Sequence, residues 1–156
     1  MDITIDLEEY RLNVRTAVVI EHHQKILFHR NRNSDHYALI GGRVTIGEDS
    51  KTTAEREILE ELGKKIEIIG YIATIENFFE MEGKKYHEIL FVYKAEFVEA
   101  KDKQILDTMH NMEGKDYLQY EWIDIDKLEE YPIKPDCVKE VLKEGKFPLH
   151  HIHKEI

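Results

Sequence analysis

Residues 42–63, GRVTIGEDSKTTAEREILEELG, carry a spacing that decides how the rest of the chain is read. Asp49 or Ser50 offers a helix N-cap, and Gly63 directly after Leu62 is a C-terminal stop, so the spacing predicts a short, well-delimited helix. Ala54, Ile58 and Leu62 recur at i, i+4 and i+8 and form the apolar stripe that packs on a core. At roughly 100° per residue, Glu60 and Glu61 fall about 60° to one side and about 40° to the other of Glu57. Three carboxylates therefore share one narrow face.

Like charges at these spacings oppose helix formation by a few tenths of a kcal/mol per pair. Residues 48–61 hold six acids (Glu48, Asp49, Glu55, Glu57, Glu60 and Glu61) against Lys51 and Arg56, a local charge of −4 in a chain of net charge −10. Arg56 reaches Glu60 at i+4 and relieves one carboxylate. The remainder asks for a cation, and Mg²⁺, which prefers oxygen ligands and combines a few carboxylates with waters and substrate phosphates, suits it. A solvated acidic face would explain the charge but not the spacing.

The segment resembles the Nudix box, G-x5-E-x7-R-E-U-x-E-E-x-G-U with U apolar. Gly42, Glu48, Arg56, Glu57, Ile58, Glu60, Glu61 and Gly63 stand in register, and Lys64 replaces the last apolar residue. At residue frequencies near ~7%, the seven invariant letters would align by chance on the order of 10⁻⁸ per starting position. The resemblance covers roughly residues 13–144 and leaves 145–156 as a C-terminal tail of a single domain.

The resemblance implies an α/β/α sandwich, of α+β or α/β class, with a mixed sheet between helices. It also implies a pyrophosphohydrolase dependent on Mg²⁺ or Mn²⁺ that cleaves a nucleoside diphosphate linked to another group. Glu57, Glu60 and Glu61 would hold the metal, the Gly41 backbone carbonyl would stand beside it, and Glu48 would support the loop–helix junction or a further ion. Arg56 would orient the glutamates. Where many relatives have proline, this chain has Ile40. A nucleotide or nucleotide-sugar binding module without turnover is the alternative, since a fold does not fix a function.

Outside the box, Arg15 begins a strand of Thr16, Ala17, Val18 and Val19 and is a candidate phosphate contact. Glu88 breaks an apolar strand pattern, and Glu113, with Asp107 behind it, lies in a charged loop. These are the candidates for a carboxylate from outside the box. Arg30 and Arg32 stand near the glycine loop. Phe78, Phe79 and Tyr86 are candidates to stack on a base or to pack in the core. Trp122 and Cys137 are expected to pack, and His150, His151 and His153 to lie on a mobile surface terminus.

Alternation and turn residues predict strands over 15–21 and 25–30 joined as a hairpin, over 37–40, over 65–76 with a turn at Gly70, over 86–98 and over 117–123. A long loop is expected over 99–116, a short helix over 126–130 and a last helix over 135–143. At 156 residues, 42% apolar and 10% aromatic, the chain has the size and composition of one globular domain. No apolar run approaches the ~20 residues of a membrane span, and the acidic start MDITIDLEEYR is not a signal peptide. Cys137, the one cysteine, suits a reducing, cytoplasmic setting. Net charge −10 argues against stable nucleic-acid binding, and a small polyanionic substrate meets the same repulsion unless metal ions bridge it to the protein, which agrees with the nucleotide substrate and metal dependence that the resemblance implies. Assembly stays open between a monomer and a homodimer, dimers being the commonest oligomers.

Overall fold

The computed structural model describes residues 1–99, 101–102, 118–145 and 148–155. The strands are β1 (Thr4–Leu7), β2 (Tyr10–His22), β3 (Lys25–Asn31), β4 (Ala38–Arg43), β5 (Ile66–Met81), β6 (Lys84–Phe97), β7 (Leu118–Asp124) and β8 (Leu149–Lys154). The helices are α1 (Ser50–Leu62) and α2 (Cys137–Glu144), with a 3-10 helix at Ile125–Glu130. One mixed sheet runs in the order β7-β3-β4-β2-β6-β5-β8, with β1 paired to β2. The β2–β6 and β5–β8 pairings are parallel and the others antiparallel.

Helices cover both faces. On one, Ala54, Ile58 and Leu62 of α1 pack with Val18, Ile20, Leu27 and Ile40 of the sheet. On the other, Val138 and Val141 of α2 and Leu128 of the 3-10 helix meet Val19, Phe28, Ile75 and Val92. The stripe read from the box is thus the face that buries α1, and it leaves the glutamates on the rim. Asp49 caps the helix by accepting from the Thr52 N–H at 2.8 Å. Gly63, at φ 67°, closes it with its N–H on the Leu59 carbonyl.

Several expectations are corrected. The tail is not loose: β8 lies parallel along β5 from Ala73 to Phe78, His150 meets Glu76 at 2.8 Å and His153 meets Glu155 at 3.3 Å. Gly70 marks a register irregularity inside β5 rather than a turn, and the strand continues to Met81. Its hairpin to β6 turns at Glu82 and Gly83, both at positive φ. Residues 4–7 and 10–14 are strand, which the polar N-terminus does not advertise. Trp122 and Cys137 do pack against the two cores. Burial pushes the Cys137 thiol up to about 12, which keeps it protonated and inert. The loop expected over 99–116 falls almost wholly outside the described residues, with Glu113 and Asp107. Within its described start, Lys64 pairs with the buried Asp102 at 3.2 Å, giving the charged residue at the box's last position a partner.

Candidate active site

Arg56 gathers three carboxylates. Its Nη2 meets Glu48 Oε1 at 3.1 Å, and its Nη1 meets Glu57 Oε1 at 3.2 Å and Glu60 Oε1 at 3.1 Å. Thr53 Oγ1 donates to the same Glu48 carboxylate at 2.6 Å. Arg56 reaches Glu57, its neighbour in sequence, because its long guanidinium fork folds back over the adjacent side chain. Hydrogen bonds from Arg56 first, and then Thr53, hold the Glu48 carboxyl below its ordinary range. Burial dominates at Glu57 and raises its proton affinity, with Arg56 opposing.

Glu61 departs from this group. Its Oε2 lies 3.2 Å from His29 Nδ1 on β3, and both side chains are largely buried. Among the described residues, no three His, Cys, Asp or Glu side chains converge closely enough to hold a metal between them. Glu57, Glu60 and Glu61 share a helix face as expected but do not share a point.

The two glycines before the helix have separate jobs, and neither has the positive φ that their flexibility suggests. A Cβ at Gly41 would land on the Thr16 carbonyl oxygen and 2.7 Å from Ala17 Cα, so Gly41 exists to let β4 close on β2. A Cβ at Gly42 would stand 2.7 Å from Glu57 Oε2. The missing side chain is the notch in which the Glu57 carboxylate sits. The donor set around that notch fits a hard cation held by one or two carboxylates and completed by waters and phosphates. It does not fit a cation caged by protein alone.

Glu57 and Gly42 line a cleft of about 640 Å³, within the ~300–1,000 Å³ usual for small-molecule sites. Arg15 and Glu88 line it too, with Arg15 Nη1 3.9 Å from Glu88 Oε2. Both were candidates from the strand pattern, and they prove to be neighbours. Arg30 is occupied elsewhere, on Gln119 at 2.8 Å and over the Tyr37 ring at 5.0 Å. Phe79 and Tyr86 stack at 4.8 Å and line the cleft, whereas Phe78 meets His87 and Lys154 away from it.

Sequence reasoning missed Asn13, Asn77, Arg43 and Lys134, all in the cleft lining. Asn13 and Asn77 did leave a signal. Each is a polar residue on the inward phase of a strand whose other inward positions, Ala17 and Val19 or Ala73 and Ile75, are core. The sheet face is apolar where α2 covers it and turns polar at the cleft.

The raised proton affinity of Glu57 has a measurable consequence in metal-free protein. At neutral pH the wild type folds with a charged, half-buried carboxylate, so Glu57→Gln is expected to melt slightly higher. As pH falls through the raised pKa, Glu57 takes up its proton and regains the stability lost above it. Melting curves of the two proteins should therefore converge in acid. A difference that widens on acidification would mean that Arg56, not burial, governs this group.

Residues 10–144 match the family model described as NUDIX domain. The fold is similar to solved structures at low identity. A MutT NUDIX hydrolase from Burkholderia pseudomallei is 20% identical with TM-score 0.65, over 86% of this chain and 98% of that one. An ADP-ribose pyrophosphatase from Streptococcus suis is 14% identical with TM-score 0.62, over 89% and 98%. A UDP-X diphosphatase is 19% identical with TM-score 0.62, over 88% of this chain but 66% of its own length. No helix among the described residues is long and apolar enough to cross a membrane.

Proposed function

Starting from the chain's membership of the Nudix family, shown by the match over residues 10–144, we propose that it is a Mg²⁺- or Mn²⁺-dependent pyrophosphohydrolase acting on a nucleoside diphosphate linked to another moiety. Nucleoside triphosphates, ADP-ribose and other nucleotide sugars are the substrate classes. The observation that carries this reading is the Glu57 carboxylate, seated in the Gly42 notch at the wall of a nucleotide-sized cleft.

In this reading Glu57 would hold the metal at the notch, and Glu60 and Glu61, with the Gly41 carbonyl and Glu48 as further oxygen donors, would join it through bound waters or by moving off Arg56 and His29. When bound, the metal offsets phosphate charge and lowers the pKa of the attacking water. Water adds to one phosphorus of the P–O–P bridge, the bridging P–O bond breaks, and a nucleoside monophosphate leaves with a second phosphorylated product. One of the three glutamates takes the water's proton. Arg15 contacts phosphate from the β2 side of the cleft, and Glu88 and Glu113 are substrate contacts outside the box. The protein works in the cytoplasm on small nucleotides, without stable binding to nucleic acid, as a monomer or homodimer.

Arg56 is a positioning residue for Glu48, Glu57 and Glu60. Its planar fork spans all three, which a lysine ammonium cannot do. Arg56→Lys is expected to keep the fold and weaken metal affinity and activity by ~10–100-fold, as for other residues that orient ligands. Mg²⁺ titrations of activity beside thermal melts check this. Superimposable titrations would make Arg56 an ordinary surface arginine.

One observation favours the second reading, a binding module without turnover. Arg56 already satisfies much of the carboxylate charge that a metal would take. Incubating the protein with the three substrate classes and Mg²⁺ or Mn²⁺, and measuring nucleoside monophosphate, separates the two. Release of monophosphate supports the hydrolase. Tight binding with no release supports the module.

A further inference from the structure

Three buried polar residues lie in a row across the cleft floor. Asn13 of β2 pairs in register with Glu88 of β6, which pairs in register with Asn77 of β5. They are 3%, 4% and 5% exposed, and all three line the cleft. Asn13 is satisfied by the Thr4 hydroxyl. The other two are not. Among the described residues none donates a hydrogen bond to Glu88, whose nearest cation, on Arg15, stands at 3.9 Å. The Asn77 Oδ1 is buried with no hydrogen-bond partner.

Burying a carboxylate and an amide without partners is costly, and such groups in a cleft favour a ligand that brings the missing donors and acceptors. A carboxylate is two acceptors side by side, so its best complement is a pair of adjacent N–H or O–H donors. Among the common nucleobases, guanine alone has a ring N–H beside an exocyclic amine. Adenine and cytosine set their amine beside a ring acceptor, and uracil and thymine flank a ring N–H with two carbonyls. Guanine's exocyclic amine carries a second N–H beyond the one a carboxylate takes, and the unpartnered Asn77 Oδ1 stands next to Glu88 to accept it. A sugar cis-diol would also satisfy a carboxylate. It would not need the flat apolar lining supplied by Phe79 and Tyr86, which stack in register one pair further along the same sheet face.

We infer that this floor is a guanine-reading subsite, with Glu88 accepting from the ring N–H and one N–H of the exocyclic amine, and Asn77 Oδ1 accepting from the other. The phosphates then run past Arg15 toward Glu57 and Gly42. The assignment rests on the hydrolase reading only in taking the cleft for the nucleotide site, so binding is measured apart from turnover.

The experiment is calorimetric titration of the full chain with GMP, IMP and AMP. IMP differs from GMP only in lacking the exocyclic amine. A site whose buried carboxylate is left half-paired rejects such an analogue, so GMP is expected to bind about tenfold or more tighter than IMP, with AMP weaker still. Glu88→Gln presents one acceptor and one donor, and is expected to fold and to bind GMP and IMP alike. Wild-type affinities for GMP and IMP within about twofold of each other would overturn the assignment, as would a GMP preference that survives in a folded Glu88→Gln protein. A preference for GMP in binding upholds the subsite even if no nucleotide is hydrolysed, in which case only the hydrolase reading falls.

Discussion

Glu57→Gln is expected to fold and to lose hydrolytic activity by about 10²–10⁴-fold, the range for removing a group that acts in the transition state. The substitution keeps the shape that fills the Gly42 notch and removes the negative charge. Because burial disfavours that charge, metal-free stability should hold or rise slightly, and the deficit should lie in activity. Glu60→Gln and Glu61→Gln are expected to behave likewise, though for different reasons. Glu60 is half exposed on Arg56, while Glu61 must exchange its His29 contact for a ligand. Steady-state rates and melts of all three decide the matter. If a variant unfolds under conditions where the metal-free wild type is stable, that glutamate is structural.

The adjacent glycines should fail in opposite ways. Gly41→Ala drives a Cβ into the Thr16 carbonyl and the Ala17 backbone, atoms fixed by the β2–β4 ladder. Its cost should reach or exceed the ~1–3 kcal/mol of ordinary overpacking, a large share of a domain's ~5–15 kcal/mol. A fall in Tm of roughly 10 °C is expected. Gly42→Ala meets the Glu57 side chain first, and that side chain can swing away. It should fold, with its loss concentrated in metal affinity and turnover. If Gly41→Ala melts with the wild type, the close approach of β4 and β2 is not what fixes that glycine.

These contrasts show where the sequence was legible. The helix from Ser50 to Leu62, its Asp49 and Gly63 ends and its buried stripe follow from local rules, because each depends on residues within a turn or two. The β2–β3 hairpin was visible in the same way, since His23 and Gln24 make a two-residue turn at positive φ. Strand β8 was not visible. LHHIHK has little apolar alternation, and its pairing with β5 is a contact across some seventy residues of sequence. The reasons for Gly41 and Gly42 are steric and depend on what β2 and α1 place above them, which no local pattern shows. The arrangement of the floor stayed hidden for the same cause. Asn13 and Asn77 fall on the inward phase of their strands, but that they flank one carboxylate emerges only when the parallel β2–β6 and antiparallel β5–β6 pairings set them on either side of Glu88.

The proposed chemistry turns on a divalent cation held at the α1 carboxylates, and metal-stripped protein tests this most directly. The measurement is ³¹P NMR of the stripped protein with a nucleoside triphosphate and ADP-ribose, in excess EDTA and then after Mg²⁺ or Mn²⁺ is restored. No cleavage of the P–O–P bridge is expected in EDTA, with nucleoside monophosphate appearing once metal is added. Undiminished cleavage in excess EDTA would contradict a metal-dependent site at Glu57.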